Sequence, residues 1–97
     1  MGAPRSFSFT EHPGLWIEGT SEDAGKSITE AVYTFRAAHN LSDDSWHVRA
    51  LGVAGDSIDV WVGTPGQANY RTPWTIADSG GAGAKVSELL EHLFRPI

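Results

Sequence analysis

Apolar and polar positions alternate along SFSFT, residues 6 to 10, which places Phe7 and Phe9 on one face of a strand. His12-Pro13-Gly14 reads as a turn. LWIE, residues 15 to 18, then forms a second short strand, with Leu15 and Ile17 on one face and Trp16 on the other. The two strands are expected to pair as a hairpin. The period then changes. Ala24, Ile28, Ala31, Val32, Phe35 and Ala38 recur at helical spacing and predict a helix over residues 21 to 39. Thr20 or Ser21 can cap its start, Glu22 and Asp23 suit the positive end of its dipole, and Asn40 suits its C-terminal end.

After the polar loop LSDDS comes WHVRALGV, a turn around Gly55-Asp56, and SIDVWVG, a hairpin signal. A two-residue turn would set Val53 opposite Ile58, Leu51 opposite Val60 and Arg49 opposite Val62. Ala50 would then face Trp61, and Gly52 would face Asp59. A one-residue slip exchanges these faces, so the assignment depends on the turn. YRTPWTIA, residues 70 to 77, is a further strand, and Pro73 assigns it to an edge or a bulge. DSGGAG is a flexible connection. A last helix runs from about residue 82 to 94, with Val86, Leu89, Leu90, Leu93 and Phe94 on its apolar face.

The order ββαβββα with two amphipathic helices predicts an α+β fold. It is a four- or five-stranded, mostly antiparallel sheet with both helices on one face. Ninety-seven residues make one domain, 1–97, whose residues 1–5 are expected to be a flexible start. Double-stranded RNA-binding domains share the helix, three strands, helix order. This chain lacks their basic helix start and loop, so the likeness is one of topology alone.

Composition narrows the function. Seven basic and twelve acidic residues give a net charge of −5, which disfavours nucleic acid and favours a protein partner with a basic surface. No cysteine is present, which fits a reducing cytoplasm and excludes disulfides and thiolate metal sites. No apolar stretch approaches the roughly 18 residues that span a bilayer, so no membrane partner is expected.

Two glycine-rich stretches invite a phosphate-binding reading. GTSEDAGKS, residues 19 to 27, nearly matches the nucleotide-binding loop, but five residues separate Gly19 from Gly25 where the signature has four. Glu22 and Asp23 would also repel phosphate, and ordinary helix-start chemistry accounts for the segment. The second stretch, SGGAGAK, enters a helix. Ser79, Gly80, Gly81, Gly83 and Lys85 form a candidate anion loop, although Asp78 opposes an anion there. Gly63-Thr64-Pro65-Gly66 has the GxxG spacing of KH domains but follows a strand rather than joining two helices. His12, His39, His47 and His92 lack the short spacing of a helical zinc site, so no metal or cofactor is expected. No serine lies in a nucleophile elbow. A small enzyme would need His47 beside a carboxylate such as Asp59.

Tryptophan is the most unusual feature: four in 97 residues, Trp16, Trp46, Trp61 and Trp74. Trp46 and Trp61 share one hairpin face in the register above. Such rings either complete the core or mark an interface, with Arg49, His47, Asp59 and Arg71 as the polar rim. The leading expectation is a non-enzymatic interaction module that binds a protein partner, or a second copy as a homodimer, through a tryptophan-bearing sheet face. The alternatives are an anion-binding domain using residues 79 to 85 and a small enzyme built on His47.

Overall fold

A computed structural model describes residues 5–11, 14–41, 46–63 and 73–94. Its elements are β1 (Phe7–Glu11), β2 (Leu15–Thr20), α1 (Glu22–Ala38), β3 (His47–Val53), β4 (Ser57–Gly63), β5 (Trp74–Ala77) and α2 (Ala82–Phe94). They form the expected α+β domain in the expected order. The sheet has five strands in the order β1-β2-β3-β4-β5. Every neighbouring pair is antiparallel except β2 and β3, which run parallel because α1 crosses over between them.

α1 begins where the sequence indicates. The Ser21 hydroxyl accepts from the Ala24 amide at 3.2 Å, with Glu22 and Asp23 in the first turn. The GTSEDAGKS stretch is therefore a helix start: Lys26 pairs with Glu22 across one exposed turn at 3.0 Å. Gly25 lies buried inside the helix, where the Phe7 ring takes the space a side chain would need. Asn40 follows the helix with φ of 53°, the left-handed conformation that ends helices.

Leu15, Ile17, Val48, Ala50, Ile58, Val60 and Val62 line the sheet's inner face. Against them lie Ala24, Ile28, Val32 and Phe35 of α1 and Ala82, Val86 and Leu90 of α2. Trp46 closes one end of this core. Its ring meets Phe35 edge-on at 5.6 Å and Phe94 at 5.9 Å.

The β3–β4 register differs from the expected one. The turn has three residues, Ala54, Gly55 and Asp56, and the last two are left-handed, with φ of 80° and 56°. Val53 therefore pairs with Ser57, Leu51 with Asp59, Ala50 with Val60 and Arg49 with Trp61. The single extra turn residue turns β3 over. Val48 and Ala50 go inward, while Arg49, Leu51 and Val53 go outward.

Two polar anchors hold the layers in place. Asp78 accepts from the Ser21 amide and hydroxyl (3.1 and 2.7 Å) and from Arg5 Nε at 2.6 Å. The other Arg5 nitrogens donate to the Val53 and Ser57 carbonyls, each at 2.6 Å, which ties Arg5 to the β3–β4 turn. Burial by itself raises the Asp78 pKa. The hydrogen bonds from Ser21 and the Arg5 charge outweigh it and hold the carboxyl below its ordinary range. At the other anchor, Arg36, a buried residue in the last turn of α1, donates to Glu11 of β1 at 2.6 Å, and Tyr33 donates to the same carboxylate at 2.8 Å. Burial again raises the Glu11 pKa, and the Arg36 and Tyr33 contacts outweigh it, so the net shift is downward.

Candidate protein-interaction face

Both helices pack on one side of the sheet, and among the described residues nothing covers the other side. Strand alternation decides which side chains stand there. Thr10, Trp16, Arg49 and Trp61 form one cross-strand row over β1 to β4. Ser8, Glu18, Leu51, Asp59 and Thr75 form the next.

The centre of the first row is a cation between two indoles. The Arg49 guanidinium lies 5.0 Å from the Trp16 ring and 5.7 Å from the Trp61 ring. Trp16 is 43% exposed, Arg49 is exposed and Trp61 is half-buried. No carboxylate forms an ion pair with Arg49 among the described residues. Glu18 instead accepts from Trp16 Nε1 at 3.2 Å, and Asp59 accepts from Thr75 at 2.9 Å. At these distances the two ring faces attract the guanidinium and orient it on the outer side of the sheet.

The other expected members of this face are distributed differently. Trp46 is in the core at 6% exposure, because the slipped register puts its side of β3 inward. Trp74 lies opposite Val60 on edge strand β5, so it belongs to the helix side, although 42% of it is exposed. Arg71 falls outside the described residues. His47 pairs with Gly63, and Asp59 pairs with Leu51, four residues further along β3. At about 3.3 Å per residue, roughly 13 Å of strand separates their rows, beyond hydrogen-bond reach. The His47–Asp59 pair that an active site would have used does not form.

Three amides of the candidate anion loop are bonded within the protein. The Gly81 amide donates to Ser79 Oγ (3.3 Å), Ala82 to the Ser79 carbonyl (3.0 Å) and Gly83 to Ser27 Oγ (2.8 Å). Ser27 in turn donates to the Gly80 carbonyl at 2.9 Å, and Lys85 leans 3.7 Å from Glu88. These contacts splice α2 onto α1 and use three of the amides at this helix start.

What sequence reasoning missed is the Trp16–Arg49–Trp61 row as a unit. Its signal was the parallel pairing of β2 with β3, which brings Trp16 beside Arg49. That pairing is a long-range event with no local marker. Comparison with protein-family models, curated proteins and solved structures finds no match. Among the described residues, no group of three or more potential metal ligands occurs, and no helix is long and apolar enough to cross a membrane.

The different burial of the rings predicts heterogeneous fluorescence. Acrylamide should quench Trp16 and Trp74 readily and leave Trp46 protected. Trp46→Phe should remove the blue-shifted, protected component, and Trp16→Phe should remove a red-shifted one. Uniformly protected emission would contradict this arrangement.

Proposed function

We propose that this protein is a non-enzymatic interaction module whose outer sheet face binds a protein partner. The observation that carries this reading is the row of Trp16, Arg49 and Trp61, which nothing covers among the described residues and whose arginine has no ion-pair partner among them. Tryptophan and arginine are the residue types in which interface binding energy concentrates. A sheet supplies them pre-ordered, so little side-chain entropy is lost on contact. The partner places a carboxylate or carbonyl oxygen between the indoles against Arg49, and its surround is basic, matching the net charge of −5. A cytoplasmic partner suits the cysteine-free chain.

The test uses the wild type and the Arg49→Glu variant as baits in an extract of the native cell. Arg49 is exposed, so circular dichroism should show the variant folded like the wild type. A specific partner is retained by the first and lost by the second. Titrated against that purified partner, Trp61→Ala should weaken binding by about thirtyfold, equivalent to a loss of ~2 kcal/mol. Identical capture by both baits would sink the reading.

A further inference from the structure

A second surface lies on the opposite side of the sheet, at its β1 edge. We propose that β1 and the adjoining flank of α1 dock a second copy of this chain, joining two sheets edge to edge about a two-fold axis. Among the described residues β1 pairs with β2 alone, so its other edge presents backbone N–H and C=O groups that lack a strand partner. The strand, FSFTE, contains no lysine or proline to discourage pairing. Phe7 and Phe9 point to the helix side, where α1 only half covers them. Between them and α1 runs a groove of about 450 Å³, floored by Phe7, Phe9, Thr29 and Tyr33 and rimmed by Lys26 and Glu30. Phe9 meets Tyr33 edge-on at 6.5 Å, and Tyr33 remains 41% exposed.

Three features select a second copy as the occupant. First, an antiparallel strand added at β1 must bring apolar side chains to the helix side at alternate positions, and FSFTE does so itself. Secondly, the rim carries one cation and one anion a single turn apart on α1, so it is complementary to its own two-fold image. Lys26 meets the partner subunit's Glu30, and Glu30 meets the partner subunit's Lys26. The present Lys26–Glu22 pair, with both side chains about two-thirds or more exposed, is too weak to hold Lys26 back. Thirdly, the spacing fits. α1 packs across β1 and β2, and strands lie ~4.8 Å apart. Two copies of α1 on either side of the new strand pair are therefore roughly 10 Å apart, the contact distance of packed helices. This contact is independent of the outer face.

Analytical ultracentrifugation over about 5 to 500 µM tests the proposal. The wild type should pass from monomer to dimer mass, and amide hydrogen exchange along β1 should slow in the dimer. Lys26→Glu and Glu30→Lys should each weaken dimerisation by about tenfold, through like-charge contacts occurring twice per interface. The double charge swap should restore it. A strict monomer throughout the range would overturn the proposal. So would a dimer that ignores both single substitutions. If Arg49→Glu abolishes such a dimer, the contact belongs to the outer face instead, which leaves the interaction reading standing and this one refuted.

Discussion

Asp78→Ala should lower the stability of the protein by ~2–3 kcal/mol, the scale for losing hydrogen bonds to a charged group in a part-buried site. That is a large part of the ~5–15 kcal/mol that holds an average domain together. Asp78 is not in a helix or strand and its side chain is only 2% exposed. It connects three parts of the fold: the capping residue Ser21 of α1, Arg5 ahead of β1, and, through Arg5, the carbonyls of Val53 and Ser57 flanking the β3–β4 turn. Without the carboxylate, the Arg5 guanidinium keeps two carbonyls but loses its counter-charge, and the Ser21 amide loses its acceptor. The pH dependence follows from the depressed pKa. A carboxyl held below its unfolded value of ~3.9 contributes stability that is fully present above that value and lost as pH falls through the folded value. Glu11 adds to the same trend. Urea denaturation from pH 7 down to 3 should thus show wild type and Asp78→Asn converging on acidification. A constant gap between them would mean that the charge of Asp78 is immaterial.

Gly83→Val should cost ~3 kcal/mol or more, whereas Gly80→Ala three residues earlier should be neutral or stabilising by ~0.5 kcal/mol. The two glycines belong to the same SGGAG run but have opposite surroundings. A Cβ at Gly83 would overlap the carbonyl and hydroxyl of Ser27, because α2 crosses α1 there at backbone contact. Backbone cannot move aside as a side chain can, so the helices must separate and open the core around Ala82 and Val86. A Cβ at Gly80 meets nothing within 4 Å, and its gain is a more restricted unfolded chain. Thermal melts of the two variants test the contrast. Equal effects would refute the close helix crossing.

The close crossing also gives the glycine-rich stretch a structural role beside the ligand-binding one its composition suggests. Glycines that let a backbone approach phosphate also let one helix approach another, and composition does not distinguish the two. Ser27 decides the case by taking the Gly83 amide, and Ser27 lies 56 residues away in sequence. His47 and Asp59 failed as a pair for a related reason: their separation is set by the β3–β4 register, and one turn residue controls it.

The sequence by itself determined the elements, their order, the α+β class and the helix-start chemistry of α1. Each depends on periodicity or on a side chain reaching a backbone group a few residues away. Leu15, Ile17, Ile28, Val32, Val60 and Leu90 were legible as apolar faces on the same grounds. Only the tertiary structure decided which face of β3 is inward, so it alone sorted Trp46 into the core and Arg49 beside Trp61. It alone set β2 next to β3 in parallel and completed the Trp16–Arg49–Trp61 row. The physical reason is that a strand has two equivalent faces and two edges. Their use is settled by the total burial and pairing of the assembled sheet, which no short window of residues contains.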